Sequence, residues 1–227
     1  MSNLLKGLVI SGPTGVGKTD MSIFLAKKIN SNIISADSMQ IYKEMDIGTA
    51  KITNEEMDGV RHYMINLINP NEDYSVGAFE KEGNRILKEK ENKKENILLV
   101  GGTGLYIKAL TDGISILPAK NDEIRAGLNK KDIKDLLKEL EKLDIITYNE
   151  IDKYNKVRII RALEVCKITG RKFSDLKTKN IKNNNYKFLK IFLTRNREEM
   201  YERINKRVDK MRTYRRSTKD IQKIWKK

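Results

Sequence analysis

The sequence predicts an α/β fold, a parallel sheet flanked by helices and interrupted by a small all-helical insertion. Three observations predict it. A glycine-rich phosphate-binding motif stands between a short apolar run and a stretch with helical spacing. Further apolar runs of strand length end in polar or glycine loops, with helical periodicities between them. From Asn121 to about Asp175 strand signals stop and the pattern is helical throughout.

The motif is Gly12-Pro13-Thr14-Gly15-Val16-Gly17-Lys18-Thr19, which fits G-x-x-x-x-G-K-[ST]. Lys6 to Ser11 reads as the strand before it. Asp20 to Ile29 reads as the helix after it, with Met21, Phe24, Leu25 and Ile29 at apolar spacing. Strand, glycine loop and helix start form a nest of backbone N–H groups that binds a phosphate chain. Lys18 adds a point charge, and Thr19 offers a hydroxyl to a Mg²⁺ carried on phosphate oxygens. The core is therefore read as P-loop NTPase-like.

Asn32 to Ala36 is a second strand, ending at Asp37; Ser38, Met39, Gln40, Ile41 and Tyr42 then leave the sheet, and Ile47 to Lys51 reads as loop. Ser75 to Lys90 is a helix with Val76, Phe79, Ile86 and Leu87 on one side. Asn96 to Val100 is a continuous apolar strand, broken by Gly101-Gly102-Thr103-Gly104 before a helix from Leu105. This alternation implies a parallel sheet, whose ligands collect at the carboxyl ends of the strands. The loops beginning at Gly12, Asp37 and Gly101 should open onto one crevice.

After Pro118 the character changes. Ile133, Leu136, Leu137, Leu140 and Leu143 form one stripe; Val157, Ile160, Leu163, Glu164 and Ile168 mark another helix, with Arg158 and Arg161 on its basic side. Asn180 to Asn185 is a polar loop, and Phe188 to Leu193 returns to a strand. The expected organisation is a core over 1–120, a helical insert over 121–186 that grips a large partner, a return to the core over 187–211, and an atypical tail over 212–227.

The formal net charge of +15 is unevenly spread: −1 over residues 1–60, +1 over 61–120, +5 over 121–186 and +10 over 187–227. That excess makes RNA a plausible partner. No apolar run is long enough to span a membrane, and Leu8-Val9-Ile10 is too short for a signal peptide. A single cysteine, Cys166, excludes an internal disulfide and fits a reducing, cytoplasmic setting. His62, the single histidine, excludes a His-rich metal site and a Ser-His triad.

Four blocks in order resemble the tRNA dimethylallyltransferase (tRNA isopentenyltransferase) family: GPTGVGKT at 12–19, ISADSMQIYKEMDIGTAK at 34–51, GGTGLYI at 101–107 and VRIIRALEV at 157–165. The resemblance runs from about Leu8 to Met211. It implies transfer of a dimethylallyl group from dimethylallyl diphosphate to N6 of the adenosine 3′ of the anticodon, releasing diphosphate. Asp37 matches the family's general base, Thr103 the residue that helps hold the target base, and Arg125 a second position near the reacting nucleotide. Ser38, Met39 and Gln40 match one tRNA-contacting segment; Val157, Arg158, Ile159, Ile160 and Arg161 match another. Arg203 and Arg207 match an arginine pair after the last strand, one of which clamps the diphosphate. The implied partners are a tRNA anticodon loop and dimethylallyl diphosphate, with Mg²⁺, for a monomeric enzyme. The family usually has Gln at the position of Val157.

Taken singly, these residues admit other readings. Asp37 also fits a Walker-B-like Mg²⁺ ligand or a helix cap, Thr103 a turn threonine, and Arg125, Arg203 and Arg207 solvated helix arginines. An adenylate isopentenyltransferase, a P-loop kinase and a non-catalytic RNA-binding remnant are the alternative functions; ATP binding belongs to the kinase. The tail from Arg212 to Lys227 departs from the family. Back-translated with AT-rich codons and read one base later, it gives E-L-I-E-E-V-Q-K-I-Y-K-K-Y-G. The expectation is a truncation or reading-frame change near Met211.

Overall fold

The structure, a computed structural model, describes residues 6–177 and 186–217. The polar loop expected at 180–185 and the tail beyond residue 217 lie outside them. The chain divides into two compact units, Met1–Thr111 with Asn183–Lys227, and Asp112–Lys182.

The first unit is a five-stranded parallel sheet with its helices. Its elements are β1 (Lys6–Ser11), α1 (Lys18–Lys28), β2 (Asn32–Ser35), α2 (Asn54–Met57), β3 (His62–Tyr63), α3 (Val76–Asn92), β4 (Ile97–Gly101), α4 (Gly104–Thr111), β5 (Lys187–Phe192) and α10 (Arg197–Ser217). The strand order is β3-β2-β4-β1-β5. β1 lies between β4 and β5, with Leu8 opposite both Leu98 and Leu189. Val9, Ile10, Ile33, Ile34, Leu98 and Leu99 are buried, as expected of strands covered on both faces. Because all strands are parallel, the turns after β1, β2, β4 and β5 leave the same edge of the sheet.

The helix after the phosphate loop differs from its predicted face. Met21 and Phe24 are 42% and 56% exposed, whereas Ser22 and Ala26 are buried. Small side chains let α1 lie close on the sheet, and Ala26 joins Ile10, Ile33 and Leu98 in one cluster. The two-residue β3 was not foreseen; two residues carry no usable periodicity. α3 and α4 cover a second cluster, where Phe79 and Tyr106 stack with ring centroids 3.9 Å apart.

The second unit is wholly helical among its described residues: α5 (Asp122–Asn129), α6 (Ile133–Leu143), α7 (Ile145–Glu150), α8 (Lys156–Thr169) and α9 (Phe173–Lys177). Leu128, Leu136, Leu140, Ile159, Ala162 and Leu163 form its core. Asp144, fully buried, accepts from Thr147 N, Thr147 Oγ1, Ser174 N and Ser174 Oγ, so the joint between α6 and α7 also anchors α9. No helix among the described residues is long and apolar enough to cross a membrane.

Candidate active site

The phosphate loop joins β1 to α1. Gly12, Gly15 and Gly17 have φ of 151°, 85° and 97°, values that favour glycine, and Gly17 is the N-cap of α1. Lys18 Nζ donates to Gly12 O at 2.8 Å and Pro13 O at 2.9 Å, bending back across the loop that it follows. Burial lowers the Lys18 pKa; the nearby Asp37 charge works against that shift and the Arg207 charge works with it. Lys18, Asp37 and Arg207 thus share one electrostatic neighbourhood. Val16 N closes the loop on Pro13 O at 3.4 Å.

One pocket is lined by Lys18, Thr19, Asp37 and Gln40, together with Ser22, Ser35, Ile33, Ile52, His62, Val100 and Gly101. Asp37 Oδ1 accepts from Met39 N at 2.9 Å, which fixes the carboxylate at the start of the excursion after β2. Thr103 is joined to the same segment: Ser38 N donates to Thr103 Oγ1 at 3.0 Å, and Thr103 Oγ1 lies 3.3 Å from Ser38 Oγ. Thr103 N also donates to Ala36 O at 3.1 Å. The loops beginning at Asp37 and Gly101 are therefore one hydrogen-bonded assembly beside the phosphate loop.

Behind this assembly stands Lys51, 7% exposed, whose Nζ donates to Tyr42 O at 2.6 Å, Asp46 Oδ1 at 2.7 Å and Asn66 Oδ1 at 2.7 Å. Asn66 N in turn donates to Gln40 O at 3.1 Å. The chain from Asp37 to Lys51 is thus a braced loop, although its sequence lacks regular periodicity. Arg207 Nη2 donates to Thr49 O at 2.9 Å in the same loop. Arg203 Nε donates to Gly15 O at 2.6 Å, and Arg203 Nη2 lies 3.7 Å from Asp20. Arg195 also reaches the phosphate loop, through Nε to Val16 O at 3.0 Å.

Sequence reasoning missed Arg195, which belongs to no motif. Its position follows from strand order, since β5 pairs with β1 and the turn after β5 must lie beside the turn after β1. It also missed His62 as a pocket residue. His62 Nδ1 lies 2.9 Å from Val60 O, and burial lowers its pKa against that hydrogen bond.

The oxygen donors of the pocket include the Thr19 hydroxyl and the Asp37 carboxylate. Among the described residues no group of three or more His, Cys, Asp or Glu is placed to hold a metal ion. So sparse a set fits Mg²⁺ brought in on phosphate oxygens and waters, and does not form a protein cage.

In the helical unit, Glu164 is fully buried and gathers the arginines. Arg125 donates to it through Nε at 2.8 Å and Nη2 at 3.0 Å, Arg161 through Nη1 at 2.6 Å, and Asn121 through its backbone N at 2.7 Å. Arg161 Nη2 reaches Pro118 O at 2.8 Å. Burial raises the Glu164 pKa, but the hydrogen bonds from Arg125, Arg161 and Asn121 outweigh it and hold the group at about 2. Arg158 and Val157 are exposed on the same helix. Ile159 and Ile160, expected in an RNA-contacting segment, are 0% and 5% exposed, with their side chains packed in the helical core.

A family model described as IPP transferase matches residues 40–215. The tRNA dimethylallyltransferase of Fusobacterium nucleatum is 53% identical over 211 residues, covering 93% of this chain and 69% of the relative. That of Clostridioides difficile is 44% identical over 209 residues, covering 90% and 67%. Among solved structures, a eukaryotic dimethylallyltransferase acting on tRNA gives a TM-score of 0.83 at 28% identity, over 97% of this chain and 56% of that one. The tRNA isopentenylpyrophosphate transferase of Bacillus halodurans gives a TM-score of 0.59 at 38% identity, over 95% and 72%.

Proposed function

The chain belongs to the IPP transferase family, and on that premise we propose that it is a tRNA dimethylallyltransferase with its donor site at the phosphate loop. It moves a dimethylallyl group from dimethylallyl diphosphate to N6 of the adenosine 3′ of the anticodon and releases diphosphate. The observation that carries this reading is one pocket lined by both Lys18 of the phosphate loop and the Asp37 carboxylate, in a chain of this family.

The loop amides and Lys18 bind the diphosphate and take up the negative charge that grows on it as the allylic C–O bond breaks. Thr19 would hold a Mg²⁺ carried on the phosphate oxygens, which would supply further charge neutralisation there. An exocyclic adenine amine is a weak nucleophile, so Asp37 acts as the general base that accepts an N6 proton. Thr103 accepts from Ser38 N and so is tied to the Asp37–Ser38 segment; the role assigned to its hydroxyl is to hold the base. Gln40 reads a base edge beside it. Of the predicted arginine pair, Arg207 is assigned the diphosphate clamp, a reading supported by the effect of its charge at Lys18. The target nucleotide is splayed from its loop, as single-stranded RNA recognition requires. The helical unit supplies phosphate contacts through exposed Arg158, with Arg125 and Arg161 held on Glu164. We read the enzyme as cytoplasmic and monomeric.

The test is prenyl transfer by purified protein from labelled dimethylallyl diphosphate. Label should enter unmodified tRNA and not free AMP, and Asp37→Ala should reduce turnover by at least about a hundredfold while inorganic diphosphate still binds. Transfer to AMP alone would favour the adenylate enzyme. Tight tRNA binding without turnover would favour a non-catalytic remnant.

A further inference from the structure

Two guanidiniums meet the carbonyl side of the phosphate loop. Arg195 Nε donates to Val16 O at 3.0 Å, and Arg203 Nε donates to Gly15 O at 2.6 Å. Each is partly neutralised nearby: Arg195 Nη1 pairs with Glu199 at 3.0 Å, and Arg203 Nη2 lies 3.7 Å from Asp20. Both bracket Gly17, where an added Cβ would lie 3.6 Å from Arg195 Nη2 and 3.7 Å from Arg203 Nη2.

A trans peptide is planar, and its C=O and the following N–H point to opposite sides. A donor holding Gly15 O therefore directs Val16 N–H, and a donor holding Val16 O directs Gly17 N–H. Gly15 and Gly17 are the residues least able to choose these directions by their own sterics, because glycine tolerates both signs of φ. Inside the loop the Val16 N–Pro13 O contact is long, at 3.4 Å, and two Nε donors from outside reinforce the choice.

We propose that Arg195 and Arg203 are positioning residues. By holding the Gly15 and Val16 carbonyls they keep Val16 N–H on Pro13 O inside the loop and turn Gly17 N–H toward the bound diphosphate. This assigns Arg203 a role other than direct clamping and adds Arg195 to the site. It rests on the loop being the diphosphate site.

Glutamine separates positioning from charge, because its side-chain nitrogen sits as many bonds from Cα as arginine Nε and donates without a formal charge. Arg195→Ala, Arg195→Gln, Arg203→Ala and Arg203→Gln are titrated with inorganic diphosphate and Mg²⁺ by calorimetry. Each alanine variant should weaken binding about fivefold to tenfold, the size of one hydrogen bond. Each glutamine variant should stay within about twofold of the parent. Glutamine variants as weak as alanine would make charge the operative property and overturn the proposal, as would alanine variants that bind normally. Hydrogen exchange at the Val16 and Gly17 amides of ligand-free protein is the second measurement. It should quicken in the alanine variants and return to parental rates with glutamine; unchanged exchange in the alanine variants overturns the proposal. If the parent protein bound no diphosphate, the reading of the pocket would fail, while exchange would still decide the role of the two arginines.

Discussion

Glu164 has no exposed surface, yet it remains ionised because two guanidiniums and a backbone N–H converge on it. Its pKa falls from an ordinary 4.5 to about 2 on folding. A group whose pKa is depressed in the folded state stabilises the fold fully above its ordinary value. That contribution disappears as pH falls from about 4.5 towards about 2. The shift corresponds to on the order of 3 kcal/mol at neutral pH. Urea unfolding should therefore show Glu164→Gln less stable than the parent by roughly 2–4 kcal/mol at pH 7, with the gap narrowing by pH 3. A gap that stays constant over that range would mean the carboxylate's ionisation is not coupled to folding. Little of this was legible in the sequence. Glu164 stands among the apolar positions that mark α8, but Arg125 lies 39 positions away and no local pattern links the two.

At the scale of elements, the site depends on how closely β2 and β4 converge at their carboxyl ends. A Cβ on Gly101 would lie 2.1 Å from Ala36 O and 2.4 Å from its carbonyl carbon. Backbone cannot yield there without opening the joint that Thr103 makes with Ala36 and Ser38. Gly101→Ala should cost roughly 1–3 kcal/mol in thermal or urea unfolding. Below its unfolding range it should also lose prenyl transfer, because Asp37 hangs from the displaced strand end; full activity in a folded variant would contradict this. Lys51→Met tests the bracing of the loop that follows Asp37. It leaves Tyr42 O, Asp46 and Asn66 without their shared donor, and should cost about 1–3 kcal/mol in the same assay. The order of β1, β2 and β4 and of the turns after them was legible because the motifs at 12–19, 34–51 and 101–107 sit where those strands end. The inward face of α1 was not, because Ser22 and Ala26 are buried for their small size, which a hydrophobic pattern does not register. The bracing of residues 37–51 was hidden too, since nothing in a loop's composition marks Lys51 as its internal strut.

At the scale of the molecule, charge divides along the chain. Residues 1–120 are neutral overall, while the later residues carry the whole +15 excess. The proposed donor site draws on few full charges, Lys18 and Arg207 chief among them, with dipoles from the phosphate loop. Binding to RNA phosphates instead releases counterions, so tRNA affinity should fall steeply with salt. The two kinds of binding should therefore respond to different substitutions. Arg158→Ala, at an exposed position on the helical unit, should flatten the plot of log K against log salt for tRNA by about 0.7 for each phosphate no longer neutralised. It should leave inorganic diphosphate affinity unchanged. Lys18→Ala should do the reverse, weakening diphosphate binding at least about tenfold with the tRNA salt slope intact. If Lys18→Ala altered the salt slope as much as Arg158→Ala, RNA phosphates would have to enter the glycine loop, and assigning that loop to the small diphosphate donor would be untenable.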